Sequence, residues 1–222
     1  MIKLKNMHIT WHGQSFFQLQ TSLSKGEQTT IAIDPFEETI GLNVPSFTAD
    51  ILLITHDHAD HNNKITIKGA PFLVDGPGEY EVKEIFVQGI PSFHDEESGK
   101  KRGINTIYTL EVEEMRLCHL GDFGQKELTE DQLEQIGDID ILMIPVGGEF
   151  TIDAKGAAHI ISQIEPKIVI PMHYALPKLK IKLDEVDKFL KEIGQKSVVP
   201  QPKLLIKKKD LPLETQVVVL TQ

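Results

Sequence analysis

The sequence predicts an α+β protein in which two β-sheets pack face to face with helices outside them. Three observations carry this expectation. Short runs rich in β-branched and aromatic residues recur along all 222 residues, separated by clusters of Gly, Pro, Asp and Asn, as strands are. Helical spacing occurs in three segments, all in the second half, where helix and strand alternate. No linker, repeat or low-complexity stretch divides the chain, so residues 1–222 read as a single domain, large enough for one substantial core.

Taken in order, MIKLKNMHITWHG alternates polar and apolar residues and reads as a first strand, followed by SFFQLQ and TTIAID. DILLIT contains the continuous apolar run Ile51 to Ile54, the pattern of a strand buried on both faces. PFLVD, IFVQGI, TIYTLEV and RLCHL complete a strand-rich meander. KELTEDQLEQIG then places Leu128, Leu133 and Ile136 at helical spacing, with Thr129 as a candidate cap. The strand DILMIPV, the helix DAKGAAHIISQI capped by Asp153, the strand KIVIP and the helix LDEVDKFLKEIG follow. In the last helix Asp184 is the candidate cap and Gly194 the stop. PKLLIK and QVVVL are the final strands, and the alternating Lys178, Lys180 and Lys182 of PKLKIK read as a solvated edge that discourages pairing.

Composition narrows the function. Against 33 Asp and Glu there are 23 Lys and Arg, and the formal net charge of -10 would repel a nucleic-acid backbone. A small-molecule substrate is the expected partner, with a homo-oligomer open. No apolar run approaches the ~20 residues needed to cross a bilayer. The N-terminus lacks a signal-peptide pattern, and the one cysteine, Cys118, excludes an intrachain disulfide, so the cytoplasm is the expected compartment.

The chemistry concentrates in THDHADH, residues 55 to 61, directly after the buried ILLI run. His56 and His58, two apart, project to one side of an extended backbone and can grip one cation through imidazole nitrogen. Asp60 and His61 follow the bend and can face a second. A lone loop histidine needs no such explanation, but H-x-H-x-D-H at the end of a buried strand does, because five ionisable groups crowd into six positions.

THDHADH resembles the signature of the metallo-β-lactamase superfamily. The resemblance implies a four-layer αββα sandwich and one or two bound metal ions, commonly zinc. Further ligands would come from GIPSFHDE (His94), CHLGDFG (Asp122) and IVIPMHY (His173), each at or after the end of an apolar run. Carried over, the family pattern assigns His56, His58 and His94 to one metal and Asp60, His61 and His173 to the other. Asp122 would bridge them, and Asp60, His61 and Asp122 would also be catalytic. IDPF, PGEYEV, RGIN, PVGGEFTIDAKGA and PMHY narrow the similarity to a subgroup containing L-ascorbate-6-phosphate lactonase and uncharacterised Zn-dependent hydrolases.

In such a site Asp34 of IDP would hydrogen-bond a ligand histidine, unless it only ends a strand in an Asp-Pro turn. Relatives often carry His-Ser after a glycine near the first strand. Here WHGQSFF has Gln14-Ser15, so the support would come from Gln14, from His12, or not at all. Tyr174 could offer its hydroxyl to substrate or pack beneath the loop. His119 and Cys118 read as core residues, and His8 and His159 as structural.

Two cations sharing a water would lower its pKa toward neutrality and supply a hydroxide nucleophile. The expected activity is hydrolysis of a small anionic lactone, ester or phosphodiester. A nuclease of the same superfamily and a non-catalytic metal-binding interaction protein are the alternatives. Nitrogen and carboxylate donors suit two Zn ions, with Mn or Fe also compatible.

Overall fold

The computed structural model describes residues 6–22, 26–195 and 197–222, so the first part of the alternating N-terminal run, residues 1–5, lies outside the described residues. The first half of the chain forms β1 (Met7–Trp11), β2 (Phe17–Ser22), β3 (Gln28–Ile33), β4 (Phe47–Thr48), β5 (Ile51–Leu53), β6 (Ile67–Lys68), β7 (Phe72–Val74), β8 (Gly78–Val82), β9 (Ile85–Phe93) and β10 (Ile104–Val112). The second half forms β11 (Met115–His119), α1 (Glu130–Ile136), β12 (Ile141–Pro145), α2 (Ala154–Ile164), β13 (Ile168–Met172), α3 (Val186–Glu192), β14 (Leu204–Ile206) and β15 (Gln216–Val217).

Two large sheets result, ordered β14-β1-β2-β3-β5-β7 and β15-β13-β12-β11-β10-β9-β8, with a small β4-β6 ribbon. The meander expected of the first half is only partly present. β1, β2 and β3 pair antiparallel, but β3, β5 and β7 run parallel, because the connections between them leave the sheet and return.

Alternation assigns the faces. Ile31, Ile33, Ile51 and Leu53 enter the core shared by both sheets, while Ala32, Leu52 and Ile54 face a second cluster with Phe16, Phe36 and Ile40. That outer cluster is closed by a 3-10 turn at Glu38–Ile40 and by the β4-β6 ribbon, which form the outer layer on that side of the sandwich. PKLKIK is not an edge strand: it is irregular, and Leu179 and Ile181 between its lysines pack on this cluster. The alternating lysines are the outward half of that packing.

The helices cover the second sheet. Thr129 caps α1 in a capping box, its hydroxyl accepting from Gln132 N–H at 3.2 Å while Gln132 Oε1 accepts from Thr129 N–H at 3.1 Å. Gln132 also donates to Pro91 O at 2.9 Å and so ties the helix to β9. α2 begins at Asp153, whose carboxylate accepts from Lys155 and Gly156 N–H, and it buries Ala154, Ala157, Ile160 and Ile164 along one face. Each isoleucine fully buried there contributes about 1.5–3 kcal/mol. α3 corrects the cap expectation. Glu185 stands at its N-cap without a side-chain bond, and Asp184 instead meets Lys188 Nζ at 2.6 Å, its backbone held by Gly147 O and Ala175 N–H. Among the described residues no helix is long and apolar enough to cross a membrane.

Strand direction positions the chemistry. β9 and β11 both pair antiparallel with β10 and therefore run the same way, and β12 and β13 continue parallel to β11. The chain thus leaves β9 into His94, β11 into Asp122 and β13 into His173, all at the same strand-end side of the second sheet. β3 and β5, parallel in the first sheet, deliver Asp34 and the THDHADH loop from their own C-terminal ends.

Candidate metal centre

Ligand atoms of His56, His58 and His94 converge within 4.8 Å of one another, as do those of Asp60, His61, Asp122 and His173. Asp122 touches both groups. Its Oδ2 lies 3.1 Å from His94 Nε2 and 3.4 Å from His173 Nε2, and its Oδ1 lies 3.2 Å from His61 Nε2. Asp60 Oδ2 stands 3.7 Å from His61 Nε2 and 3.8 Å from His173 Nε2, and His56 Nε2 is 3.0 Å from His58 Nδ1. Donors bound at about 2.0–2.2 Å to one tetrahedral cation stand a little over 3 Å apart, which the shorter of these separations match and from which the longer ones could close around an ion.

The donor chemistry fits a cation for a further reason. His61 Nε2 and His173 Nε2 are buried and make no hydrogen bond among the described residues, although carboxylate oxygens lie close, which is costly for a polar atom and expected of a group poised to bind a cation.

Asp34 organises both groups from behind. Its carboxylate can only accept, so His61 donates from Nδ1 to Oδ2 at 2.9 Å and turns Nε2 toward the cluster. Thr55 donates its N–H to Oδ1 at 2.8 Å and its hydroxyl proton to Oδ2 at 2.6 Å. With that proton committed, Thr55 Oγ1 accepts from His56 Nδ1 at 3.0 Å, which leaves His56 Nε2 free to bind. One buried carboxylate therefore sets the tautomers of a histidine in each group. The reading of Asp34 as a mere turn residue does not account for these contacts.

Electrostatics follows the same plan. Burial, then the charge of His61, lowers the His56 pKa to about 2 and keeps its lone pair available. Burial also lowers His58. Burial would raise Asp122, but His173 and His61 outweigh it and hold the carboxyl well below the usual range. Burial would lower His61, but Asp122, Asp60 and Asp34 together raise it. The ionised Asp122 and the lowered His56 and His58 are in the protonation states that a divalent cation needs, and His61, held protonated by the surrounding carboxylates, would give up its Nε2 proton as the cation enters.

Asn105, quoted above only within RGIN, fixes Asp122. Its Oδ1 accepts from Asp122 N–H at 3.0 Å, and its Nδ2 donates to Ser92 Oγ at 2.7 Å and Leu120 O at 2.9 Å. Asn105→Ala is expected to weaken metal binding about 10–100-fold with the fold retained, read by chelator competition; unchanged affinity would show that Asp122 needs no such anchor. His173 is held by its backbone: its N–H donates to Gln14 O at 3.1 Å, and a Cβ on Gly147 would stand 2.1 Å from its carbonyl oxygen. That close approach gives PVGGEF a reason to carry glycine.

Asp95, which follows His94, was also not singled out from sequence. Its Oδ1 accepts from Glu97 and Gly99 N–H at 2.8 and 3.0 Å, and its Oδ2 from Lys101 and Arg102 N–H at 2.9 and 2.8 Å. Burial would raise its pKa, but these four donors lower it to about 2. With its pKa depressed, the carboxylate stays ionised and keeps these four bonds above the ordinary aspartate range, and they loosen only as pH falls toward 2.

Several expected supports lie elsewhere. His12 packs its ring on Phe16 and Phe47, at 4.9 and 5.7 Å between centroids, because its side chain faces the outer cluster. Gln14 meets the site through its carbonyl, while its buried amide group has no hydrogen-bond partner among the described residues. Ser15 is nearer, its hydroxyl 3.5 Å from Asp122 Oδ1. Tyr174 packs on Trp11 at 4.9 Å, its hydroxyl donates to Leu220 O at 3.3 Å, and it does not line the cavity beside the ligand groups. His119 is a satisfied core histidine, accepting from Gly121 N–H and donating to Ser15 O, and Cys118 is buried with its pKa raised by that burial. His159 is exposed on α2.

A two-sheet sandwich with histidines and aspartates gathered at its strand ends defines a protein of the metallo-β-lactamase class. The family model described as a β-lactamase superfamily domain matches residues 8–173, and the chain belongs to this superfamily. A UPF0173 metal-dependent hydrolase of Thermococcus onnurineus is 30% identical over 200 residues, 76% of this chain and 87% of that protein. One from Lawsonia intracellularis is 30% identical over 226 residues, covering 85% of this chain and 93% of its own. Among solved structures, a Thermotoga maritima protein described as a Zn-dependent hydrolase of the metallo-β-lactamase superfamily is similar with a TM-score of 0.77. It is 36% identical, and the match covers 96% of this chain and 98% of that one.

Proposed function

We propose that this member of a metal-dependent hydrolase superfamily holds two Zn ions and cleaves a small anionic lactone, ester or phosphodiester. The observation that carries the reading is the convergence of seven side chains into two ligand groups that share Asp122. They lie beside a cavity of about 380 Å³ that His58, Asp60, His94 and Asp122 help to line. When bound, the ions lower the pKa of a water and polarise the oxygen of the bond to be cleaved.

The chain's own residues do the remaining work. Asp34 and Thr55 hold His61 and His56 in the orientation that leaves Nε2 free. Asn105 holds Asp122 between the two groups. Asp60, whose side chain is 19% exposed, is the partly accessible carboxylate of its group, placed to accept a proton from an attacking water and return it to the leaving oxygen. The single buried cysteine, Cys118, is compatible with a reducing compartment such as the cytoplasm.

Metal content per chain, read by elemental mass spectrometry on protein purified without added metal, tests the reading. About two equivalents of zinc are expected, together with hydrolysis within a panel of lactones, esters and phosphodiesters. His58→Ala should lose metal and turnover, and the exposed His159→Ala should keep both. Absence of bound metal even after reconstitution would overturn the proposal.

A further inference from the structure

Lys101, Arg102, Phe150 and Ile181 line the same cavity as the candidate ligands His58, Asp60, His94 and Asp122. Of the two cations, Lys101 is already paired, its Nζ 2.5 Å from Glu97 Oε1. In the adjoining polar cavity Lys126 is paired in the same way with Glu96 at 3.3 Å. Arg102 has no carboxylate within salt-bridge distance among the described residues.

Arg102 is nevertheless held in place. Its backbone N–H is clamped by Asp95, its Nη2 donates to Glu149 O at 3.1 Å, and its guanidinium lies 5.2 Å from the centre of the Phe150 ring. One of five side-chain N–H donors is thereby used, and the planar fork keeps others for an incoming oxyanion. Because Asp95 directly follows His94, the turn that carries Arg102 is anchored on the backbone next to a candidate ligand. Arg102 and the candidate ligands thus open on one cavity, which suits a substrate gripped at one end and cleaved at the other.

We propose that Arg102 is the specificity-determining residue: it receives a carboxylate or phosphate group on the body of the substrate, remote from the bond that is cleaved, while Phe150 packs beside that body. The inference rests on the hydrolase reading for the bond broken, but its recognition element is separate from the metal ligands. A fixed guanidinium facing an oxyanion forms charge-assisted, bidentate hydrogen bonds that a lysine only partly replaces.

The test compares phenyl acetate with 4-acetoxybenzoate and 4-acetoxyphenylphosphonate on metal-loaded protein. Wild type should prefer at least one of the anionic esters in kcat/KM by tenfold or more, and which one identifies carboxylate or phosphate as the group recognised. Arg102→Ala should lose about 10–100-fold on that ester, keep its rate on phenyl acetate and keep its metal content. Arg102→Lys should recover part of the loss. An equal loss on neutral and anionic esters, or no anionic preference in wild type, would overturn the assignment. Should no ester be hydrolysed, calorimetric titration with phenylphosphonate separates the two readings. Binding about tenfold weaker in Arg102→Ala would uphold the grip while the esterase reading falls, and equal affinities would overturn the grip as well.

Discussion

Asp122→Ala is expected to reduce bound metal from about two equivalents to fewer than one and to lower turnover by 10²–10³-fold or more. No other candidate ligand lies so close to both groups, with oxygens 3.1 Å from His94, 3.2 Å from His61 and 3.4 Å from His173. Without that carboxylate, one group is left with three imidazoles and the other with Asp60 as its only anion. The fold should survive, because the Asp122 backbone N–H still bonds Asn105 and the strands on either side do not depend on the side chain. Elemental mass spectrometry beside far-UV circular dichroism makes the comparison. Full metal content in a folded Asp122→Ala protein would remove the bridging role.

Gly121→Ala should be the more damaging change to the folded state, although it adds a single methyl group. Gly121 sits at φ +57°, and a Cβ there would stand 2.3 Å from Asn105 Oδ1 and 2.8 Å from Thr55 Cβ. Backbone strain of about 1–2 kcal/mol and overpacking of about 1–3 kcal/mol combine to about 2–5 kcal/mol. For a chain of this size that lowers Tm by about 4–20 °C. The methyl group would press on two residues that orient ligands, Asn105 behind Asp122 and Thr55 behind His56, so metal binding should fall with stability. A Tm within about 2 °C of wild type, with metal retained, would show that the close approach relaxes at little cost.

Thr55 and Asn105 show why part of the site escaped the sequence. Neither residue type marks a metal site, and each acts through partners far along the chain: Thr55 through Asp34, Asn105 through Ser92 and Asp122. Asp95 escaped for a different reason, since its four partners are backbone N–H groups that carry no side-chain signature. His12 failed as a support because the turn after β1 directs it to the outer cluster, a consequence of how Phe16 and Phe47 pack.

The strands and helices were legible because period-2 and helical spacing record burial directly, and Thr129 and Asp153 cap their helices as their residue types suggest. The seven candidate ligands were legible because histidine and aspartate crowded at the ends of apolar runs have few other uses. The sequence by itself therefore determined the class of fold, the candidate donors that converge and a short list of candidate anchors. Tertiary structure alone decided that β3, β5 and β7 run parallel, that Asp34 serves both ligand groups, and that Arg102 lines one cavity with Asp122 and has no carboxylate partner among the described residues. These depend on contacts between segments distant in the chain, and local spacing carries no information about which distant partner will satisfy a buried polar group.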